Sequence, residues 1–139
     1  MVDALTEARR VLMPKGVLID VRPVLAPMVV EVLADNRASW AAQVSSFADA
    51  EEYAAADAAV GLATSRGLFV FEKRQPFEFE VYCDTSADLK QHAQLHRGMR
   101  EADIPYEDLE ARRRELEACG QTARLRCGRP WMLSAYHKE

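Results

Sequence analysis

The segment RRVLMPKGVLIDVRP, from Arg9 to Pro23, limits the folds that are open to this chain. A short amphipathic run ends at Pro14-Lys15-Gly16, because proline cannot continue a helix and glycine permits the turn. The sequence VLIDV follows at once, and a short run that is rich in β-branched residues and apolar on both faces is typical of the centre of a sheet. We therefore predict a helix over residues 3 to 13 and a buried strand over residues 17 to 21.

The next segment, MVVEVLADNRASWAAQV, allows two interpretations. It is either a hairpin that turns near Asp35-Asn36 or a helix that begins after Pro27. The density of β-branched residues at Val29, Val30 and Val32 favours the hairpin.

The rest of the chain predicts further alternation of helices and strands with short connections. Alanine-rich and capped segments predict helices over residues 49 to 64, 86 to about 100 and 105 to 120. Alternating segments predict two strands joined near Gln75-Pro76 and a closing hairpin around Gly128-Arg129. The expected fold is α+β, with a mixed, largely antiparallel sheet and helices packed on it, in a single domain over residues 1 to 139.

Composition and charge describe a globular chain and exclude several classes of partner. The 139 residues are 49% hydrophobic and 29% charged, which is typical of a domain with a core. A formal net charge of -4 gives no excess positive field for nonspecific nucleic-acid binding. No stretch approaches the roughly 20 apolar residues of a membrane-spanning helix, and the acidic first residues differ from a secretory signal. We expect a cytoplasmic protein that binds neither nucleic acid nor membrane.

The segment ALTEARRVLMPKGVLIDVRP, residues 4 to 23, resembles part of the class I S-adenosylmethionine-dependent methyltransferases. In that family a helix of the form AL.EA.RVL.PGG leads into the fifth strand, so Pro14-Lys15-Gly16 stands for the family's Pro-Gly-Gly. The later elements, which end in WMLSAYHKE at residues 131 to 139, look like the family's carboxy-terminal half with its sixth and seventh strands. The resemblance therefore implies a methyltransferase-derived half-domain in which residues 17 to 21 form the fifth strand.

Glycine usage separates this chain from complete members of that family. Members bind the cofactor with a glycine-rich turn, and their cofactor-binding residues precede the helix that opens this chain. No GxG occurs among the six glycines of the sequence. The resemblance therefore implies no cofactor for the isolated chain, with S-adenosylmethionine bound only where a partner supplies the missing half. One interpretation is that Met1 is an internal methionine of a longer gene product, chosen as a start.

The resemblance also implies a need for a partner. In the family the fifth strand pairs with the fourth and the seventh, so residues 17 to 21 would keep unpaired backbone groups and an apolar face. We expect a homo-oligomer, most simply a dimer, that covers this strand or the helix at residues 3 to 13. A separate protein partner and a rearranged, self-contained α+β fold are the other options.

The expected function follows from the missing glycine-rich turn and from the strand that needs a partner. The sequence predicts a methyltransferase-like module that associates with itself or with a partner and is not catalytic alone. The alternative is a methyltransferase or a small-ligand-binding protein whose pocket is completed by another subunit.

Few residues in the sequence are candidates for a site. Asp20 and Arg22 are the candidate ligand-binding residues, because open α/β sheets place ligands at the carboxyl ends of their strands. The other interpretation of this pair is a salt bridge or a turn contact before Pro23. His92 and His96 share a helix face but lack a third ligand, so no metal is predicted.

The remaining reactive or charged residues favour structural roles. Cys83 lies in the apolar alternation of a strand, which favours packing over nucleophilic chemistry. The three cysteines of the chain lack CxxC spacing and predict reduced thiols. Acidic neighbours surround the arginines at residues 112 to 114, which indicates a solvated helix face. No catalytic residue is predicted.

Overall fold

A computed structural model describes residues 2 to 45, 50 to 95 and 103 to 138 of the chain. Within these ranges there are four α-helices and five strands. In chain order they are α1 (Val2–Val11), β1 (Val17–Pro23), β2 (Met28–Ala34), β3 (Arg37–Val44), α2 (Ala50–Ser65), β4 (Val70–Cys83), α3 (Ser86–Leu95), α4 (Tyr106–Ala118) and β5 (Ala123–His137). The strands form an antiparallel sheet of order β1-β5-β2-β3, with β4 paired to β5. The predicted α+β class is therefore confirmed.

The chain divides into two compact units. The first consists of Met1–Leu25, Asp49–Phe77 and Trp131–Glu139, and the second of Ala26–Ala48 and Glu78–Pro130. The single domain expected from the chain length stays a prediction.

In the first unit, α1 and α2 cover one face of β1. Leu18 packs on this face with the buried residues Ala63, Phe69 and Tyr136, together with apolar side chains of both helices. Because strand side chains alternate between faces, Asp20 and Arg22 point to the same side as Leu18. The first unit therefore has a helix-covered face, which carries Leu18, Asp20 and Arg22, and an opposite face.

The prediction that residues 17 to 21 are buried is wrong. Val17, Ile19 and Val21, on the opposite face, are 48%, 50% and 43% exposed. β1 also stands at the end of the strand order, with β5 as its strand partner in the described part of the chain. The prediction failed because apolar composition suggested that both faces of the strand are covered. Composition cannot show that the helices cover only one of them.

In the second unit, β2 and β3 form the hairpin that the β-branched residues favoured. Asp35 and Asn36 make its turn with φ angles of 48° and 66°, a conformation that Asn and Asp tolerate and that two-residue hairpin turns require. β2 also pairs with β5 from Ala34↔Ala123 to Val29↔Gly128. Its buried side chains meet α3 and α4 in the main core, which includes Met28, Val30, Val32, Leu89, Leu109, Leu116 and Leu125.

Two predicted turns are wrong, because both segments are single long strands. β4 runs without a break through Gln75-Pro76, and β5 runs through Gly128-Arg129. Pro76 lies where β4 is exposed, and a strand at a sheet edge tolerates a residue without an N–H group. In β5, pairing with β2 ends at Gly128 and pairing with β1 begins at Trp131, so Pro130 falls between the two ladders.

The helices lie close to where the sequence placed them. α1 ends at Val11, two residues early, and α2 runs one residue beyond its predicted end. α4 starts directly after Pro105, and Gly120 follows its end with φ 78°. α3 begins at Ser86 as predicted, and the predicted continuation past Leu95 lies outside the described residues.

Glu110 joins α4 to α3 in the second unit. Its carboxylate accepts hydrogen bonds from Arg113, at 2.8 and 3.1 Å, from Arg114 at 2.9 Å, and from the backbone N–H of Ser86 at 3.2 Å. Its side chain is 17% exposed. The hydrogen bond from Arg113 is the main reason that the pKa of Glu110 falls to about 2.

This carboxylate predicts an acid-sensitive contribution to folding. A carboxyl group whose pKa is lowered by folding stabilises the native state above its unfolded pKa, 4.5 here, and loses that contribution as the pH falls to about 2. We expect Glu110→Gln to lower the free energy of unfolding by about 1 to 2 kcal/mol at pH 7 and to have little effect at pH 2. Urea unfolding at both pH values measures the difference. Glu107→Gln, an exposed residue of the same helix, is the control; an equal loss in both variants at pH 7 would contradict the prediction.

Candidate functional site

Asp20 and Arg22, the two candidate ligand-binding residues, form a salt bridge with each other. They are two residues apart on β1 and share its helix-covered face. Arg22 donates from Nε to Asp20 Oδ1 at 2.8 Å and from Nη2 to Asp20 Oδ2 at 2.6 Å. The side chain of Arg22 is 21% exposed and that of Asp20 is 17% exposed. The geometry of the pair is that of a salt bridge, which was the other interpretation of these residues. Both residues also line a cavity.

Asp57 of α2 is a second acidic partner of Arg22, with its Oδ1 2.9 Å from Arg22 Nη2. Burial lowers the pKa of Arg22, but the hydrogen bond and the charges of Asp20 and Asp57 outweigh burial, so the net shift is upward. The two carboxylates balance the positive charge of the Arg22 guanidinium and occupy hydrogen-bond donors that an anionic ligand would need. Arg22 organises the site and is not its free cation.

Arg74, on β4, is one of the site residues that sequence reasoning missed, together with Asp57 and Ser134. Its Nε donates to Ser134 Oγ at 3.2 Å, and its guanidinium carbon lies 6.0 Å from the centre of the Phe71 ring. Ser134 is 2% exposed and stands opposite Asp20 in the pairing of β1 with β5. No local signal marked Arg74, because it sits in the exposed run Glu72-Lys73-Arg74 of a strand.

These side chains surround a cavity of about 250 Å³ in the first unit. Its polar lining comes from β1, α2, β4 and β5, and its apolar lining from the segment after β1 and from β5. The lining residues are Asp20, Arg22, Pro23, Val24, Leu25, Tyr53, Asp57, Arg74, Met132 and Ser134. A second depression beside it, also in the first unit, shares Arg22, Asp57 and Arg74 and reaches Tyr136.

The cavity has the features of a binding site. Its polar residues are carboxylates, guanidinium groups, a tyrosine and a serine hydroxyl, and it contains neither a cysteine nor a histidine. The serine hydroxyl receives a hydrogen bond from an arginine, which cannot act as its general base. The arrangement therefore supports recognition of a ligand and does not assemble a nucleophile with a base.

The cysteines and histidines do not form a site in the described part of the chain. Cys83 and Cys127 are buried, and Cys119 is exposed. Burial raises the pKa of Cys83 and brings that of Cys127 to about 12, so both thiols are protonated at neutral pH. His92 lies on α3, whereas His96 lies outside the described residues. Among the described residues no three His, Cys, Asp or Glu side chains are grouped to hold a metal ion.

The arginines of α4 form ion pairs with glutamates, but not all of them are solvated. Arg114 is 73% exposed, whereas Arg113 is only 13% exposed, between Glu110 and Glu117. Arg112 bonds Glu115 and the Ser39 hydroxyl. The prediction of a solvated face is therefore wrong for Arg113, and these charges are matched within the unit.

Comparison with known proteins leaves the family of this chain open. No protein-family model matches the sequence, and no curated protein and no solved structure matches the chain. In the residues that the structure describes, no helix has both the length and the apolar character needed to cross a membrane.

Proposed function

We propose that this chain is a methyltransferase-like half-domain that acts as a self-associating module, with β1 at the contact between two copies. The observation that carries the proposal is the exposed apolar face of β1. Val17, Ile19 and Val21 are each between 43% and 50% exposed, and together they form a stripe along a strand at the end of the sheet order. Exposed apolar strands at sheet edges are surfaces that another chain covers.

The pairing of β1 supports the methyltransferase part of the proposal. In the family that the sequence resembles, the fifth strand pairs with the seventh. Here the segment that resembles the fifth strand, Val17–Pro23, pairs along its length with residues 131 to 137, the segment that resembles the seventh. β1 lies at the end of the strand order, and its edge that faces away from β5 corresponds to the edge at which the family places its fourth strand.

A second copy is the partner that the residues of β1 favour. Two β1 strands related by a two-fold axis pair antiparallel, and a register centred on Ile19 places Val17 opposite Val21 of the other copy. The same register places Ile19 opposite itself, so all three exposed side chains meet apolar partners. A register centred on Asp20 would place two carboxylates opposite each other, which destabilises a strand pair.

The contact must extend beyond the strand itself. A standard stable interface buries about 800 Å² on each partner, more than a few strand residues provide. Val11 and Met13, which precede β1 in the sequence, are 63% and 77% exposed. Covering them together with β1 is what a stable dimer would require.

The proposal is tested by the mass of the protein in solution. We expect light scattering at about 50 micromolar protein to give twice the 15.6 kDa mass of the chain, falling toward the single mass on dilution. A compact chain that stays monomeric at this concentration would contradict the proposal.

The alternative function, a methyltransferase whose pocket is completed by another subunit, predicts a different result. It requires S-adenosylmethionine to bind, whereas the half-domain proposed here lacks the glycine-rich cofactor turn. Calorimetry with S-adenosylmethionine and the isolated chain separates the two: measurable heat of binding would favour the alternative.

A further inference from the structure

The cavity beside Asp20 contains one guanidinium group that lacks an acidic partner. Arg22 is held by Asp20 and Asp57, whereas Arg74 makes no ion pair with any carboxylate in the described part of the chain and bonds Ser134 through Nε. That hydrogen bond fixes one edge of the Arg74 guanidinium and leaves the Nη donors available. A fixed guanidinium with free donors is a preorganised receptor for a carboxylate or a phosphate.

The Ser134 hydroxyl provides a second donor in the same place. It accepts the hydrogen bond from Arg74 Nε, and a hydroxyl that accepts a bond still has a proton to donate. In the described part of the chain this proton has no acceptor, although Ser134 is 2% exposed and lines the cavity. A buried donor without an acceptor costs free energy, and an anionic ligand would remove that cost.

The charges of the cavity favour an anion of single charge. The lining contains two carboxylates, Asp20 and Asp57, and two guanidinium groups, Arg22 and Arg74. The four charges sum to zero. A negative charge on a ligand is therefore attracted by Arg74 and repelled by the two aspartates. A monocarboxylate adds one such charge and a phosphate dianion adds two, so repulsion disfavours the phosphate.

The remaining lining indicates the rest of the ligand. Val24, Leu25 and Met132 supply an apolar surface, and Leu25 is 47% exposed. The volume of about 250 Å³ lies just below the range of about 300 to 1,000 Å³ typical of drug-sized ligands. The matching ligand is therefore small, with one carboxylate and a short apolar body.

We infer that this cavity binds a small monocarboxylate, whose carboxylate accepts hydrogen bonds from Arg74 and Ser134 and whose apolar body packs on Leu25 and Met132. The inference does not depend on self-association. The cavity lies on the helix-covered face of β1, whereas Val17, Ile19 and Val21 lie on the opposite face. Loss of ligand binding and loss of the dimer are therefore separate results.

The test uses hexanoate as the probe, with hexanol and inorganic phosphate as comparisons. Each is titrated into the full chain, and the side-chain Nε–H signals of arginine are followed by NMR. The Arg74 signal is identified by its loss in Arg74→Ala. Arg66→Ala removes an arginine of the same unit that is exposed and lies outside the cavity, and it serves as the matched control.

We expect hexanoate to shift the Arg74 signal and to bind at least about tenfold more weakly to Arg74→Ala, because a hydrogen-bonded charge pair is lost. Arg66→Ala should bind hexanoate as the wild type does. Three results would overturn the inference: hexanol binding as tightly as hexanoate, phosphate binding more tightly than hexanoate, or unchanged hexanoate affinity in Arg74→Ala. Light scattering of the same variants shows whether the oligomer is affected.

Discussion

An Ile19→Lys variant is expected to be monomeric at concentrations where the wild-type chain is a dimer. In the register centred on Ile19, the two-fold axis places residue 19 of one copy opposite residue 19 of the other, so one substitution brings two ammonium groups together. Like charges that face each other across a strand pair repel, and the central apolar contact is lost at the same time. We expect the dissociation constant to rise at least about 100-fold, measured by light scattering over a dilution series.

The control for this variant is Leu95→Lys. Leu95 is 75% exposed on α3 and is not part of the proposed contact, so the same apolar-to-cationic change should leave the dimer intact. Circular dichroism must show both variants folded, which is expected because Ile19 is already half exposed. A folded Ile19→Lys variant that keeps the dimer mass would rule out this contact.

The register itself has a covalent test. Residues directly opposite in an antiparallel pair have Cα atoms about 4.5 to 5.5 Å apart, within the range that a disulfide spans. With the exposed Cys119 replaced by serine, Ile19→Cys should give a disulfide-linked dimer on mild oxidation. Leu95→Cys, which is also exposed but lies on α3 and outside the proposed contact, should not. A crosslink at both positions would indicate nonspecific collision.

Leu109→Ala is the substitution expected to destabilise the chain most. Leu109 is fully buried on α4, in the core of the second unit with Leu89 and Leu125. Removing its isobutyl group loses buried apolar contact and leaves a cavity that close-packed neighbours only partly fill. We expect the free energy of unfolding to fall by about 2 to 5 kcal/mol.

The measurement can be made specific to the second unit. Each unit contains one tryptophan: Trp131 in the first, and Trp40, packed against the main core, in the second. In a Trp131→Phe background, urea unfolding followed by tryptophan fluorescence therefore reports on the core around Leu109. Leu95→Ala makes the same chemical change at an exposed position and should cost less than about 0.5 kcal/mol. Equal losses in the two variants would contradict the described packing of α4.

Local signals predicted the elements whose geometry is itself local. The β-branched residues Val29, Val30 and Val32 favoured a hairpin that turns near Asp35-Asn36, and both turn residues have positive φ angles, which Asn and Asp tolerate. Pro14 predicted the end of α1 because a proline cannot continue a helix, although the turn residue with a positive φ angle is Lys15 and not Gly16. Gly128 misled because β5 continues through it, from its pairing with β2 to its pairing with β1. Pro76 misled because it lies in an exposed part of β4, where a strand at a sheet edge tolerates a residue without an N–H group.

The site could be predicted only in part for the same physical reason. The rule that suggested Asp20 and Arg22 applies to the strand ends of open α/β sheets, whereas the strand pairs here are antiparallel. The two side chains come together because residues two apart on a strand share a face. Arg74 and Ser134 come from β4 and β5, and their contact depends on how distant segments align. Since pairing register is a long-range property, neither residue carries a mark in its own sequence neighbourhood.

The unequal burial of the three cysteines gives the chain a natural attachment point. Cys119 lies exposed directly after α4, whereas Cys83 and Cys127 are buried. Thiolates, not thiols, react with maleimides, and burial keeps the other two sulfurs protonated at neutral pH. A dye or spin label therefore goes to the residue after α4 in the unaltered chain, which belongs neither to β1 nor to the residues that line the cavity.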